Sequence, residues 1–225
     1  MTPPIPKTLI SFVDDELTSY CEGSTSQEPT LCQALREYAS NHPKAHWTSG
    51  PLVGTLLEML VSLSQARRIL DIGTFFGYSA VYMAHAHVDV KVLSLEADPA
   101  VAAEACNLIA GSPMASQIQI ENAEAHKWFQ DNPRQQFDLI FFDSNRNNLM
   151  QLYEPLLRAI ASDGILVMDN ACLRRRVLAP IRPWDFDTVA FNARIQKEHS
   201  FLTTLLPVRD GVLLAHRLPE RQQSE

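Results

Sequence analysis

LDIGTFFGYS, residues 70–79, lies between a β-branched run and a helical pattern. Gly73 and Gly77 let the chain turn sharply and approach a ligand closely, because no Cβ blocks the left-handed conformations that such turns use. The spacing is not that of a dinucleotide loop, in which three glycines bring a pyrophosphate to a helix N-terminus. Here an acid, Asp71, precedes one glycine, and the next follows four residues on. A loop of that sign repels phosphate and suits a cationic cofactor without phosphates.

Outward from this loop, short β-rich runs alternate with segments long enough for helices: RILDIGT, KVLSLEA, IQIENA, FDLIFFD and GILVMDN. The rhythm is that of an α/β fold with a parallel sheet. The runs are almost continuously apolar, as expected when helices cover both faces. Phe201 to Val208 and Gly211 to His216, parted only by Arg209 and Asp210, predict an antiparallel hairpin at the sheet edge. Upstream, helical patterns cover Thr8 to Tyr20, Pro29 to Asn41 and Pro51 to Leu63, with Gly23-Ser24-Thr25-Ser26 as a break. These helices are expected to cap the cofactor side or to form an oligomer interface. Arg174 to Asp185, with two prolines and three consecutive arginines, reads as an irregular loop, and Glu220 to Glu225 as a disordered tail.

The 225 residues, 46% hydrophobic, predict one domain: a helical cap over 1–66, an α/β core over 67–218 and a tail over 219–225. A net charge of -7 and a pI near 5.5 argue against a nucleic-acid partner, with Arg174 to Arg176 the one basic cluster. Met1 to Ile10 carries three prolines and no long apolar run, so neither a signal peptide nor a membrane span is expected, and the protein reads as cytoplasmic. Cys21, Cys32, Cys106 and Cys172 lack metal-ligand spacing and read as reduced thiols, Cys172 as a small buried hydrophobe.

Open α/β sheets bind ligands at the carboxyl ends of their strands, and here those ends are acidic. S-adenosylmethionine, with its ammonium and sulfonium, fits the loop at residues 70–79, and Glu96, ending the second run, suits the two vicinal hydroxyls of a ribose. Ser79 stands at the start of the helix after the loop, where its hydroxyl and free N–H groups suit a cofactor carboxylate. Asp98-Pro99 reads as a helix cap. Asp143, Asp169 and Asn170 offer two carboxylates and an amide oxygen from adjacent strand ends. Oxygen ligands of this kind suit magnesium, calcium or manganese rather than zinc.

With these motifs in order, the chain resembles the cation-dependent class I O-methyltransferases, the family of the caffeoyl-CoA and catechol enzymes. Leu70 to Ser79 is similar to its cofactor motif, Phe137 to Glu154 to its fourth strand and following helix, Gly164 to Asn170 to its fifth strand, and Leu206 to Arg217 to its terminal hairpin. Leu35 to Gly54 is similar to the segment before the cofactor loop. The resemblance implies a Rossmann-like, mostly parallel seven-stranded sheet and a homodimer. It implies Asp71, Gly73, Thr74 and Ser79 at the methionine part, Glu96 at the ribose, Ala125 at the adenine, Ser49 closing over the cofactor, and Asp143 and Asn145 beside it. Asp143, Asp169 and Asn170 match the metal ligands, and Asp143 and Arg146 the catalytic positions. In that family the metal chelates two neighbouring oxygens of a small aromatic acceptor and lowers the hydroxyl pKa.

The chain departs from the family at several positions. Asp143-Ser144-Asn145-Arg146 replaces D-A-D-K, and an arginine, with a pKa of roughly 12.5 or more, is no general base. Arg146 suits an oxyanion, an acidic substrate or a structural salt bridge. Ala171-Cys172-Leu173 and the three arginines replace a tryptophan and glycine loop, Val53 replaces a glutamate, and Ala123-Glu124 a glycine-containing pair. Two other readings stay open: methylation of a hydroxylated tRNA base, favoured by the arginines, and cofactor binding without turnover, suggested by the missing lysine.

Overall fold

The computed structural model describes residues 15–219. Three helices, α1 (Asp15–Gly23), α2 (Thr30–Ser40) and α3 (Gly50–Ser64), precede β1 (Arg68–Ile72). Then follow α4 (Tyr78–His85), β2 (Lys91–Glu96), α5 (Pro99–Ile109), β3 (Ile118–Asn122), α6 (Ala125–Asp131), β4 (Phe137–Phe142), α7 (Leu149–Ala159), β5 (Ile160–Met168), α8 (Pro183–Ile195), β6 (Phe201–Leu206) and β7 (Val212–Arg217). One sheet holds all seven strands in the order β3-β2-β1-β4-β5-β7-β6. The first five are parallel, and β7 runs antiparallel between β5 and β6.

The period of two along β4 divides the core. Leu139 and Phe141 pack on one face with Cys32 and Leu35 of α2 and Val53, Leu57 and Val61 of α3. Ile140 and Phe142 pack on the other with Leu152, Tyr153 and Leu156 of α7 and Phe191 of α8. Each such side chain contributes ~1.5–3 kcal/mol by leaving water. The helices α2 and α3 therefore help build the core under β1 and β4. Of the first expected helix, the part before residue 15 lies outside the described residues, as does the expected tail over Glu220 to Glu225.

Local signals explain the helix starts. Asp98 caps α5, its carboxylate accepting from the N–H groups of Ala100 at 3.0 Å and Val101 at 3.4 Å, as the sequence predicts. The expected loop over Arg174 to Asp185 needs correction at both ends. A tight helical turn covers Leu173–Leu178, broken by left-handed backbone at Arg174 and Arg175, and α8 begins at Pro183. Proline in the first turn and Asp185 at the third position, accepting from the Arg182 N–H at 3.1 Å, start that helix.

The hairpin is present, but its turn is wider than expected and spans residues 207–211. Pro207 has no N–H to continue the ladder. The turn is pinned to the chain beyond β5: the Ala171 N–H donates to the Gly211 carbonyl at 2.8 Å and the Cys172 N–H to that of Asp210 at 2.9 Å. The four cysteines are free, Cys172 buried among them.

Candidate active site

The sheet register brings the strand ends into one row. Ile72 pairs with Phe142 and Phe142 with Met168, so Gly73, Asp143 and Asp169 emerge side by side. The Asp143 N–H donates to the Ile72 carbonyl at 2.9 Å and the Asp169 N–H to that of Phe142 at 3.1 Å. Gly73 has φ +110°, and a Cβ there would sit 2.0 Å from the Asp143 carbonyl oxygen. Only glycine permits this backbone approach.

Across the ends of β1, β2, β3 and β4 lies a cavity of about 530 Å3, lined by Gly73, Glu96, Ala123, Ala125, His126 and Asn145 among others. Glu96 accepts from the Phe75 N–H at 2.9 Å through one oxygen and from the Asp98 N–H at 3.0 Å through the other, which fixes its carboxylate at the cavity wall. A second cavity of about 390 Å3 is lined by Asn145, Arg146, Asn147, Leu173, Arg176 and Trp184. Asn145 and Asn147 belong to both, so the cavities abut.

Asp143, Asp169 and Asn170 are not among the residues that line either cavity; Asp143, two residues before Asn145, accepts from Ser49 Oγ at 3.4 Å and from the Asn170 side-chain amide at 3.2 Å. Asp169 accepts from the Asn170 N–H at 2.7 Å. Burial raises the carboxyls of both Asp143 and Asp169, with Arg146 and Arg209 opposing, and the Asp71 charge adds to the rise at Asp143. For Asp169 the neighbouring Asp143 charge adds to the rise. Two desolvated carboxylates beside a side-chain amide form a hard, oxygen-rich donor set, and a divalent cation between them relieves their repulsion. The donors fit such an ion.

Arg146 is buried at 6% exposure. Its Nη2 donates to the Asp169 carbonyl, while Nη1 has no hydrogen-bond partner among the described residues. Burial lowers its pKa, with Asp143 and Asp169 opposing.

A sequence profile described as O-methyltransferase matches residues 22–218. The chain belongs to the O-methyltransferase family. Caffeoyl-CoA O-methyltransferase 1 of Eucalyptus globulus is 25% identical over 205 residues, 85% of this chain and 83% of that protein. Tricin synthase 2 of Oryza sativa is 27% identical over 229 residues, 95% of this chain and 78% of that protein. Among solved structures, the SAH-bound methyltransferase of Podospora anserina shares the fold at a TM-score of 0.80 and 21% identity, over 96% of this chain and 98% of that one. The O-methyltransferase of tomaymycin synthesis from Streptomyces achromogenes, solved with SAM, gives 0.79 and 23%, over 90% and 96%.

Within this O-methyltransferase, the predicted site residues divide into two sets. Gly73, Glu96, Ala125 and Asn145 line the larger cavity. Asp71, Thr74 and Ser79 do not: all three are buried beneath it. Both Asp71 oxygens accept from Ser79 Oγ at 3.1 Å, Asp71 Oδ2 also accepts from Ser94 Oγ at 2.6 Å, and Thr74 Oγ1 lies 2.6 Å from Ser94 Oγ. Asp71 therefore braces the loop from inside instead of presenting charge at its surface. Burial pushes its carboxyl up to about 7 against the hydrogen bonds of Ser94 and Ser79. Ser49 holds Asp143 at the mouth of α3.

Sequence reasoning passed over Ser94, Trp184 and the role of Arg209. A lone serine inside the apolar run KVLSLEA signals a buried partner, and Ser94 faces Asp71 across β1 and β2. Arg209, in the hairpin turn at φ +50°, acts on both acids from a site distant in sequence, which no local pattern announces. Among Arg174, Arg175 and Arg176, Arg176 lines the smaller cavity, and its Nε donates to the buried Asp185 at 2.9 Å.

Proposed function

We propose that the protein transfers the methyl group of S-adenosylmethionine to a hydroxyl of a small aromatic acceptor with vicinal oxygens, with a divalent cation, magnesium foremost, at Asp143, Asp169 and Asn170. The observation that carries this reading is the shared wall of the two cavities at Asn145 and Asn147, beside Asp143. The larger cavity has the size of a nucleoside-type ligand.

The cofactor supplies an electrophilic methyl group on its sulfonium, and a cation at the acids supplies Lewis acidity toward the acceptor oxygens. Glu96, held by two N–H groups, accepts from ribose hydroxyls. Gly73 lets the loop after β1 lie directly against the Asp143 backbone, which sets the wall of the larger cavity beside the proposed cation ligands. Arg146 stays protonated and takes no proton; its desolvated charge suits an anionic group on the acceptor.

The acidic overall balance, -7, favours a small acceptor over a hydroxylated tRNA base. Exposed apolar side chains on α1 and α3, including Tyr20, Met59 and Leu63, support a homodimer. No helix among the described residues is long and apolar enough to cross a membrane, and the reading includes a single-domain, cytoplasmic enzyme.

Formation of S-adenosylhomocysteine from a catechol panel tests the proposal. Turnover is expected with magnesium, and loss of it with chelator and in Asp169→Ala. Turnover that survives both refutes the metal part, and absence of S-adenosylmethionine binding by titration calorimetry refutes the whole.

A further inference from the structure

The smaller cavity holds a cation with an unmet donor. Arg146 is almost completely buried, one nitrogen spent on the Asp169 carbonyl and the other, Nη1, without a partner. It forms no ion pair among the described residues. Leaving a charged N–H desolvated and unpaired is costly, and an anionic oxygen in the cavity removes that cost. Arg176, on the same wall, is committed to Asp185.

We infer that the acceptor carries a carboxylate and that Arg146 Nη1 binds it. The inference rests on the methyl-transfer reading for calling the ligand an acceptor. Trp184 and Leu173 line the same cavity and suit a planar ring, and about 390 Å3 accommodates one ring with a short substituent. One unpartnered amino group close to Asp143, Asp169 and Asp210 matches a monoanion, whereas a phosphate dianion meets stronger repulsion from the three acids. Arg146 is thus a specificity-determining residue: it selects acidic aromatic acceptors over neutral catechols.

The test compares 3,4-dihydroxybenzoate with 3,4-dihydroxybenzamide, alike in size and in vicinal oxygens but different in charge. Binding is titrated calorimetrically to the full chain loaded with S-adenosylhomocysteine, once with magnesium and once with chelator. The acid is expected to bind at least tenfold more tightly than the amide, and Arg146→Met to bring the ratio near one, with Arg146→Lys retaining part of it. The ratio of kcat/KM for the two acceptors should move in parallel. Equal binding of acid and amide by the wild type, failure of the acid to bind at millimolar concentration, or a preference that persists in Arg146→Met overturns the inference. If Arg146→Met does not fold, Arg146→Gln and the wild-type ratio decide. Methylation of catechol and of the amide with the same kcat/KM as the acid removes this inference and leaves the proposed function standing. An Arg146-dependent preference without methyl transfer does the reverse.

Discussion

Ser94 Oγ donates to Asp71 Oδ2 at 2.6 Å, across a register in which the two residues are direct partners on β2 and β1. With Ser79 at 3.1 Å, this leaves the fully buried carboxylate held by hydroxyls alone, with no ion pair among the described residues. Removing one donor strands part of a buried charge. Ser94→Ala should therefore destabilise by ~1–3 kcal/mol, read as a fall in the urea midpoint at pH 8.

The same carboxyl sets a pH dependence. Burial lifts it from 3.8 to about 7, with the hydrogen bonds of Ser94 and Ser79 pulling down and the Glu96 charge adding to the rise. Its folded pKa is thus above its unfolded value, so its stabilising contribution is full below the unfolded pKa and is lost as pH rises through about 7. Between pH 5 and 8 the wild type should lose stability relative to Asp71→Asn, on the order of a few kcal/mol. Thermal melts of the two proteins at matched pH check this, and a constant gap would falsify it.

Much of this was legible beforehand, and the reasons for the rest are physical. Continuous apolar runs announced the strands, Asp98-Pro99 announced the start of α5, and of the strand-end acids Glu96 lines the larger cavity. The inward turn of Asp71 was not legible, because an acid before a glycine looks the same whether it faces solvent or a serine on the next strand; only the pairing with Ser94 decides. The action of Arg209 on Asp143 and Asp169 likewise depends on the hairpin folding back over β5. The start of α8 was readable from Pro183 and Asp185, but the arginines before it masked the signal.

Gly73→Ala should abolish binding of S-adenosylhomocysteine and lower the melting temperature. The added methyl group would stand 2.0 Å from the Asp143 carbonyl, so the ends of β1 and β4 must part at the wall of the larger cavity. Gly111→Ala is the control: its φ of +81° is also left-handed, yet nothing lies within 4 Å, and it should cost only ~1–2 kcal/mol.

Glu96→Ala should weaken S-adenosylhomocysteine binding by ~10–100-fold, the range for hydrogen bonds to a charged group, with Glu96→Gln falling between it and the wild type. Titration calorimetry supplies both numbers. An affinity unchanged in Glu96→Ala removes the ribose role.

Asp185 is fully buried and accepts from Arg176 Nε at 2.9 Å and from the N–H groups of Ile181 at 3.2 Å and Arg182 at 3.1 Å. Burial raises its carboxyl, but these donors outweigh it and hold it below the ordinary range. Asp185→Ala should cost ~1–3 kcal/mol, since it removes the acceptor of the Ile181 and Arg182 N–H groups at the start of α8 and the partner of Arg176. Chemical denaturation measures the loss.

The two rungs that join Ala171 and Cys172 to Gly211 and Asp210 make the chain beyond β5 and the hairpin turn a single mechanical piece. A Cβ on Gly211 would lie 2.4 Å from Cys172 Sγ, so neither strip can be re-lengthened alone. Replacing either strip by a longer one thus calls for a two-part graft, in which both travel together while the loop after β1 is left in place.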